Sequence, residues 1–408
     1  MAENHPVIIV GSGHAGLQLA RNVRRLQPTS GLVMICADDG VDYAKPQLSH
    51  AFSQQQSAEQ LTRKTAQELR QELKMMLLTE QRVEEIHPAE QTIVVNGRTL
   101  AYSKLVLATG ARAFVPPVAG DASDDIKTLN SLQEYLHLRE RMMQGERVLV
   151  LGGGLIGTEI AHDLAVAGKQ VSVCDPSAQL LANLLPEFAA QRLAETLQTL
   201  SCELLLNNTL EMLQRLPHGV RATFTNGEAR EFDHVICAAG LRPNSELAAQ
   251  AGLNVERGIV VDSQLRTSDP DIYALGDVAQ IDGRLWPFLQ PISQCAAALA
   301  KTIAGEPTHV TLPVMPVNVK TPRFPLQLAG ETRAADVDWQ IEQDAEDGAD
   351  GAHLVEHVLH GDEQQLGAAH GACGVQGEAA GHHGQTGHQG DQGVAHHDDQ
   401  GVLLHVLL

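Results

Sequence analysis

The sequence contains no pair of cysteines close enough to act together. Its six cysteines are scattered, and no C-x-x-C motif is present: Cys36, Cys174, Cys202, Cys237, Cys295 and Cys373. Flavin and nicotinamide reductases that act on disulfides need two neighbouring cysteines to carry electrons as a dithiol. The spacing therefore argues against that chemistry and predicts six buried thiols.

Long hydrophobic runs are also missing. Apolar stretches such as residues 7–10 and 148–151 are far shorter than the roughly 20 residues that a membrane-spanning helix needs. The first residues, MAENHPVIIVG, contain no basic start, no longer apolar region and no small-residue cleavage site. We therefore expect a cytoplasmic protein with no secretory signal and no membrane partner.

Basic residues are scarce, with 29 Lys and Arg against 50 Asp and Glu and a formal net charge of -21. The excess is uneven, because residues 342–408 hold 12 acids and no Lys or Arg. The remaining residues 1–341 hold 38 acids and 29 bases, a net charge of -9. Because phosphate binding needs clustered Lys and Arg, no nucleic-acid partner is expected.

The C-terminal residues 344–408 have a composition foreign to globular proteins. They contain no Lys, Arg, Pro, Phe, Tyr, Trp, Ile, Met, Ser or Asn, yet they hold ten of the 19 histidines. Every residue there except Cys373 and Thr386 can be encoded by a codon that begins with G or C. We interpret residues 344–408 as an aberrant low-complexity tail, read out of frame after a frameshift near residue 344. A histidine-rich metal-binding tail is the alternative, although its histidines lack fixed ligand spacing.

What is present is a glycine-rich turn in the context that a dinucleotide site requires. Residues 7–10 predict a strand, Gly11-Ser12-Gly13-His14-Ala15-Gly16 forms a G-x-G-x-x-G turn, and a helix is expected from there to about residue 27. The first glycine permits the turn, the second lets a pyrophosphate approach the backbone, and the third lets helix and strand pack closely. A strand at 32–37 ends at Asp38, which we favour over Asp39 as the carboxylate that binds the adenosine ribose.

The same arrangement recurs after residue 147. Gly152-Gly153-Gly154-Leu155-Ile156-Gly157 follows an apolar run, and residues 171–174 then lead to Asp175. A carboxylate at that position binds a free ribose diol and repels a 2'-phosphate. The next residues, Pro176-Ser177-Ala178-Gln179, contain no arginine that could accommodate the phosphate. The second turn therefore predicts a site for NADH rather than NADPH.

Three further segments occur in the order typical of one superfamily: LVLATG (105–110), HVICAAGLRP (234–243) and TSDPDIYALGD (267–277). Together with the glycine turns, they make the chain resemble the non-disulfide branch of the pyridine-nucleotide-disulfide oxidoreductases, the FAD-dependent reductases of rubredoxins and ferredoxins. More narrowly, four segments resemble the NADH-dependent reductases of nitric-oxide-reducing flavodiiron proteins: YAKPQLS (43–49), FVPP (114–117), VKTP (319–322) and LAGET (328–332). The resemblance covers about residues 5–341.

The resemblance implies roles for individual residues. Asp277 would bind the ribityl hydroxyls of FAD, and Lys320 would contact the flavin. Lys45 would lie against the flavin and pair with Glu159 near the nicotinamide, so these two are the candidate catalytic residues. A cation near the isoalloxazine stabilises negative charge on the reduced ring. The alternatives are an exposed lysine and a solvated helical glutamate.

The complete set of predicted cofactor-binding residues combines both turns with the segments of the resemblance. It comprises Gly11, Ser12, Gly13, His14, Ala15, Gly16, Asp38, Lys45, Val83, Thr109, Gly110, Gly152, Gly154, Gly157, Glu159, Asp175, Gly240, Gly276, Asp277 and Lys320. No metal site is predicted. The expected cofactors are FAD and NADH.

The sequence thus predicts an α/β protein with two Rossmann-like three-layer dinucleotide-binding domains and a C-terminal α+β domain that is disrupted after about residue 343. The expected boundaries are 1–115 with 241–315 for a discontinuous FAD domain, 116–240 for the NADH domain, 316–343 for the start of a C-terminal interface domain, and 344–408 for the tail. Between the turns we expect a helical stretch at 57–77 and strands near 92–102 and 105–108. Strands at 232–238 and 272–275 are expected to return to the first domain.

The resemblance implies hydride transfer from NADH to FAD, followed by single-electron transfer to flavorubredoxin or rubredoxin in anaerobic nitric oxide detoxification. One alternative is a rubredoxin or ferredoxin reductase that serves another electron-transfer chain. A second is a regulatory flavoprotein that responds to NADH. No catalytic triad is expected, because the cofactors carry the reaction.

Overall fold

The computed structural model describes residues 5–312, 317–329, 340–346, 353–360 and 402–407. The chain divides into two compact units, one of Met1–Leu181 with Leu197–Leu312 and one of Ala182–Thr196 with Pro313–Leu408. Among the residues described, no helix combines the length and apolar character needed to cross a membrane.

The helices alternate with strands along most of the chain, as in an α/β protein. The α-helices of the described residues are α1 (His14–Leu26), α2 (Ala58–Leu61), α3 (Ala66–Leu73), α4 (Leu132–Met142), α5 (Leu155–Val166), α6 (Glu187–Thr199), α7 (Glu246–Gln250) and α8 (Leu289–Ile303). Two 3-10 helices cover Lys45–His50 and Ser123–Asp125.

The strands of the described residues are numbered in chain order. The strands of the first half are β1 (Val7–Val10), β2 (Leu32–Ile35), β3 (Asp42–Tyr43), β4 (Thr62–Lys64), β5 (Met76–Leu78), β6 (Val83–His87), β7 (Thr92–Val95), β8 (Arg98–Ala101), β9 (Lys104–Leu107), β10 (Ala111–Ala113), β11 (Ile126–Thr128), β12 (Arg147–Leu151), β13 (Gln170–Asp175) and β14 (Cys202–Leu206). Those of the second half are β15 (Leu210–Arg215), β16 (Val220–Phe224), β17 (Ala229–Phe232), β18 (His234–Cys237), β19 (Leu241–Pro243), β20 (Ile259–Val261), β21 (Ile272–Ala274), β22 (Ala279–Ile281), β23 (Arg284–Leu285), β24 (Val317–Val319), β25 (Leu326–Ala329), β26 (Gln340–Glu346), β27 (His353–His360) and β28 (Val402–Leu407).

The first unit contains a five-stranded parallel sheet in the order β21-β9-β1-β2-β5. Val7 lies opposite both Leu32 and Lys104, so β1 is the central strand. All four residues of β1 are buried, which is why its sequence is continuously apolar. The chain leaves β1 for β2 on one side, while β9 lies on the other. The carboxyl end of β1 is therefore a topological switch point, where open α/β sheets bind ligands.

A second parallel sheet in the same unit repeats this plan in the order β11-β18-β12-β13-β14. Here β12 is central, with Val148 opposite Val171 on one side and His234 on the other. Two antiparallel strands, β10 and β19, pair where the chain passes between the segments that form the two sheets. The prediction of two Rossmann-like dinucleotide-binding folds is confirmed.

The structure corrects two details of the predicted secondary structure. The stretch at 57–77 is not one helix, because β4 separates α2 from α3 and β5 begins before the stretch ends. Thr65 is the N-cap of α3 and forms a capping box with Glu68. The strand expected at 232–238 is interrupted at Asp233, and its main part, β18, belongs to the second parallel sheet rather than the first. Only the strand at 272–274 returns to the first sheet, beside β9.

The second compact unit includes an antiparallel sheet in the order β24-β25-β28-β27-β26. Val317 lies opposite Leu328, and Glu346 lies opposite His353. Two of its strands, β27 and β28, fall within residues 344–408, and the rest of that tail lies almost entirely outside the described residues. The frameshift hypothesis stays a prediction.

We expect resequencing of the gene from independent DNA to reveal an inserted or deleted nucleotide near codon 344. The corrected reading frame would restore residue types that 344–408 lack, and the intact mass of the purified protein would differ from 43.8 kDa. An uninterrupted frame together with a mass that matches this sequence would contradict the hypothesis.

Candidate functional site

The first glycine turn leaves no room for larger residues at its first and third glycines. Gly11 has φ +115°, and a Cβ atom there would lie 2.2 Å from the carbonyl oxygen of Ala108. A Cβ atom on Gly16 would lie 2.0 Å from the carbonyl oxygen of Gly11. Both contacts are with backbone, which cannot move aside as a flexible side chain could. The turn therefore depends on glycine at both positions.

The middle glycine of this turn is different, because the protein itself does not require it. A Cβ atom on Gly13 would meet nothing within 4 Å, and its φ of -65° and ψ of -177° are open to any residue. Gly13 is the N-cap of α1, which has no side-chain cap and no acidic residue in its first turn. Free amides of a helix N-terminus, facing open space, fit a pyrophosphate group.

Asp38 is tied directly to this turn. Its carboxylate accepts hydrogen bonds from Ser12 Oγ at 2.9 Å and from the amide of Gly40 at 3.1 Å. The neighbouring Asp39 instead accepts from Gln133 Nε2 at 2.7 Å. Asp38 remains exposed, so lone pairs of its carboxylate are accessible to a ribose diol.

The second glycine turn has the same internal geometry. Gly152 has φ +110° and would place a Cβ atom 2.5 Å from the carbonyl oxygen of Ala238. A Cβ atom on Gly157 would lie 1.9 Å from the carbonyl oxygen of Gly152. Gly154, the N-cap of α5, again has open space around its Cβ position, and α5 also lacks an acid in its first turn. The second turn thus fits a second pyrophosphate.

Asp175 is the last residue of β13 and lies beside the second turn. One carboxylate oxygen accepts from the amide of Gly153 at 2.6 Å, and the other accepts from the amide of Ser177 at 2.7 Å. These two amides fix the carboxylate at the end of the strand. An ionised carboxylate can accept about four hydrogen bonds, so it retains capacity for ribose hydroxyls.

The structure brings several of the predicted flavin-side residues together at the start of α1. Gly276 has φ +83°, and a Cβ atom there would lie 2.7 Å from Ala15 Cβ. This close approach places Asp277 next to the first turn. Burial raises the pKa of Asp277, while the nearby charges of Lys45 and His14 act in the opposite direction. Asp277 therefore shares one electrostatic environment with Lys45 and His14.

Lys45 begins the 3-10 helix Lys45–His50. Burial lowers its pKa, and the carboxylates of Asp277 and Glu134 partly offset that effect. Burial likewise lowers the pKa of His14. Lys45 and His14 thus lie in a partly desolvated region beside the first glycine turn, where electrostatic interactions are stronger than in water.

Glu159 lies inside α5 with only 4% of its surface exposed. Its Oε2 accepts a hydrogen bond from Ser49 Oγ at 2.7 Å. Ser49 belongs to the same 3-10 helix as Lys45, so Glu159 contacts the segment that carries the lysine. Direct pairing of Glu159 with Lys45 stays a prediction.

The remaining predicted residues lie at several places in the fold. Thr109 donates from Oγ1 to the carbonyl oxygen of Asn244 at 2.8 Å, and the Asn244 side chain donates back to the Thr109 carbonyl at 2.8 Å. Gly110 and Gly240 have φ of +65° and +117°. Val83 starts β6, and Lys320 follows β24 in the second compact unit. Their cofactor contacts stay predictions.

Two curated relatives carry the same name, nitric oxide reductase FlRd-NAD(+) reductase. The relative from Vibrio vulnificus (strain CMCP6) is 48% identical over 337 residues, which cover 83% of this chain and 88% of the relative. The relative from Escherichia coli O157:H7 is 45% identical over 335 residues, 82% of this chain and 88% of the relative. Among solved structures, the ferredoxin reductase for the CYP199A2 system from Rhodopseudomonas palustris has a TM-score of 0.77 and 26% identity, covering 87% of this chain and 88% of that one.

Two family models match the chain. The model described as pyridine nucleotide-disulphide oxidoreductase matches residues 5–301. The model described as rubredoxin binding C-terminal domain matches residues 309–369. The second match continues beyond residue 343, the position after which the composition of the sequence changes.

Proposed function

Because the chain belongs to the pyridine nucleotide-disulphide oxidoreductase family, we propose that it is an NADH-dependent FAD oxidoreductase that reduces the rubredoxin centre of flavorubredoxin. It would thereby supply electrons for anaerobic nitric oxide reduction. The names of the relatives and the match to a rubredoxin-binding domain support this acceptor. We further propose a cytoplasmic location, which fits a protein whose described cysteines are all free thiols.

One observation carries the proposal: the central strand of each parallel sheet leads into a glycine turn. The fold requires glycine at the first and third positions of that turn but not at the middle position. Open space surrounds the Cβ positions of Gly13 and Gly154, where no protein atom lies within 4 Å. It is what a bound pyrophosphate needs in order to approach a helix N-terminus. Two such cradles, at the switch points of two sheets, support two dinucleotides.

The residues of the chain supply binding, orientation and charge. The amides at the start of α1 and α5 hold the two pyrophosphates, and Asp38 and Asp175 accept hydrogen bonds from the two adenosine riboses. Asp277 orients the flavin side, and Lys45 keeps a positive charge there. When bound, FAD accepts a hydride from NADH and gives up the two electrons one at a time.

Electrons leave such a protein without a cysteine relay. The prediction of buried thiols is confirmed for the five cysteines that lie in the described residues: Cys36, Cys174, Cys202, Cys237 and Cys295. Burial raises the pKa of Cys36 and of Cys295 to about 12, so neither is a thiolate at neutral pH. Cys373 lies outside the described residues. The buried thiols of the described residues offer no dithiol relay, which fits transfer of electrons to an acceptor outside the protein.

A ferredoxin reductase is the alternative that the fold favours, given the structural similarity to the Rhodopseudomonas palustris protein. A panel of acceptors separates the possibilities. NADH oxidation would be measured anaerobically with flavorubredoxin, rubredoxin or ferredoxin at equal concentrations. We expect the rubredoxin-type acceptors to give the highest kcat/KM. A higher kcat/KM with ferredoxin would establish the alternative, and no acceleration by any iron protein would favour a regulatory flavoprotein.

Replacing Asp175 by Ala is expected to weaken selection between the nicotinamide cofactors. The change removes the acceptor of the ribose hydroxyls and the negative charge that repels a 2'-phosphate. We expect the Kd for NADH to rise about tenfold, corresponding to about 1.4 kcal/mol, and the Kd for NADPH to fall. Stopped-flow reduction of the bound flavin by each cofactor measures both constants.

The matched control for this variant is Asp39→Ala, which removes an exposed carboxylate next to Asp38, after β2 of the first parallel sheet. Asp39 contacts Gln133 rather than a glycine turn. The control should leave the Kd values of both cofactors unchanged. A native protein that binds NADPH as tightly as NADH would contradict the role given to Asp175.

A further inference from the structure

The segment that follows Lys45 is held by the helix that starts at the second glycine turn. This clasped segment, residues 49–56, contains no residue of either glycine turn. Its contacts are with α4, which precedes β12 of the second parallel sheet in the chain, and with α5, which follows β12. Lys45 itself belongs to the cluster with Asp277 and His14 beside the first turn. The clasped segment therefore connects the flavin-side lysine to the helix that begins the NADH site.

Asp163 makes most of these contacts. It is 3% exposed and lies one turn after Glu159 on the same face of α5. Its Oδ2 accepts from the amide of Phe52 at 2.9 Å and from the amide of Ser53 at 3.3 Å. The hydroxyl of Ser53 also donates to Oδ1 of Asp163. Three donors thus converge on one buried carboxylate.

Tyr135 of α4 holds the other side of the segment. Its hydroxyl lies 2.9 Å from the carbonyl oxygens of both Ala51 and Gln56, and its ring centroid lies 5.0 Å from that of Phe52. Together with the bond from Ser49 to Glu159, three side chains outside the segment, those of Asp163, Tyr135 and Glu159, hold its eight residues. A surface loop that only connected two elements would not need buried carboxylates, because burying a charge is costly unless it is hydrogen-bonded.

We propose that Asp163 is a positioning residue for hydride transfer, which anchors the clasped segment to α5 and thereby sets the position of Lys45 relative to the NADH-binding turn. The proposal rests on the proposed function. One rigid helix would then carry the pyrophosphate-binding turn at its start and the anchor of the flavin-side lysine two turns later. A small displacement of reacting groups is costly, since about 1 Å can lower a rate about 100-fold.

The Asp163 carboxylate accepts from the two backbone amides through Oδ2 and from the Ser53 hydroxyl through Oδ1. Asp163→Asn would preserve these bonds, because its oxygen can accept both amides while its NH2 group donates to the Ser53 hydroxyl oxygen. Asp163→Ala removes every one of these acceptors and leaves the buried amides unpaired. Ser53→Ala is the milder change, because it removes one donor and leaves the carboxylate bound to both amides. Asp163→Ala and Ser53→Ala should therefore show the same effect at different strengths.

A matched control exists at Asp233. This carboxylate also accepts backbone amides, from Glu146 at 2.8 Å and Arg147 at 2.9 Å, and it pairs with the Arg147 guanidinium at 2.9 Å. Burial alone would raise the pKa of Asp233, but the hydrogen bonds from Arg147 and Glu146 lower it to about 2. Asp233→Asn thus breaks a comparable set of bonds at a place that does not touch the clasped segment.

The test compares the native protein with Asp163→Ala, Ser53→Ala and Asp233→Asn. Hydrogen exchange measured by mass spectrometry reports the anchoring itself, and anaerobic stopped-flow reports the limiting rate of flavin reduction at saturating NADH. We expect Asp163→Ala to exchange faster at residues 49–56 and to be reduced about tenfold more slowly, with the Kd for NADH within about twofold of native. Ser53→Ala should show smaller changes of the same kind. Asp233→Asn should lose stability only.

Two results would overturn the proposal: unchanged exchange at residues 49–56 in Asp163→Ala, or faster exchange there with an unchanged limiting rate of reduction. If Asp163→Ala does not fold, Ser53→Ala decides by the same two readouts. Failure of the native protein to be reduced by NADH would instead count against the proposed function, while the exchange data would still report whether Asp163 anchors the segment.

Discussion

Gly13→Val is expected to yield a folded protein that is purified without FAD. The protein has room for the new side chain, because a Cβ atom at Gly13 meets no protein atom within 4 Å and the backbone there is in an extended conformation. The same side chain would occupy the space into which the FAD pyrophosphate must fit. We expect the affinity for FAD to fall by at least about 100-fold, or about 2.8 kcal/mol. The ratio of flavin absorbance to protein concentration measures the loss.

The stability of the apoprotein separates this effect from misfolding. Valine is a poorer N-cap than glycine, so the free energy of unfolding of the apo form should fall by about 1 kcal/mol at most. Thermal unfolding of the apo form measures this change. By contrast, Gly16→Val should disrupt folding, since its Cβ would lie 2.0 Å from a backbone oxygen. A Gly13→Val protein that retains a full complement of FAD would show that the first turn does not bind it.

Gly154→Val makes the same change at the second turn and should weaken the binding of NADH instead of FAD. The variant should keep FAD, because the first turn is intact, but its Kd for NADH should rise at least about 100-fold. The reason is again local, since Gly154 is the N-cap of α5 and its Cβ position opens away from the protein. Anaerobic titration with NADH, followed by the visible flavin band, measures the affinity.

Chemical reduction provides the control for this variant. Dithionite should bleach the flavin of Gly154→Val as completely as that of the native protein, which shows that only the delivery of hydride is impaired. Normal affinity for NADH in Gly154→Val, or loss of FAD from it, would contradict the assignment of the two turns.

Much of the fold could be predicted because the relevant signals are local. A short apolar strand, a glycine turn and a helix occur within 20 residues of sequence, and a trailing acid follows the next strand, so each dinucleotide-binding unit is visible by itself. The same locality explains the preference for Asp38, which the structure shows bonded to Ser12 of the turn. These patterns persist because a parallel strand must be apolar and a phosphate-binding turn must be glycine-rich.

The clasped segment could not be predicted, because it depends on contacts between residues 79 to 111 positions apart. Ser49 meets Glu159, and Ser53 meets Asp163, although the partners lie in elements that are far apart in the sequence. The one signal in the sequence was the spacing of four between the two acids on a helix that is otherwise buried. Two acids at that spacing more often lie on the solvent-exposed face of a helix, whereas Glu159 and Asp163 are both buried.

The position of the strand at 234–237 shows a second limit of prediction from sequence. Its sequence, HVIC, reads as a buried strand, but apolar character does not say which of two parallel sheets a strand joins. Pairing with β11 and β12 places it in the second sheet. The strand at 272–274 has an equally apolar sequence and joins the first. The choice depends on chain connectivity and long-range packing, neither of which has a local signature.

The most direct test of the account follows the electrons through the native protein in a single anaerobic experiment. One equivalent of NADH is added to the FAD-loaded protein, and oxidised rubredoxin is then added in excess. The account predicts that NADH bleaches the flavin band, that NADPH at the same concentration does so far more slowly, and that rubredoxin restores the band while becoming reduced itself. A flavin that NADH does not bleach, or that stays bleached in the presence of oxidised rubredoxin, would contradict it.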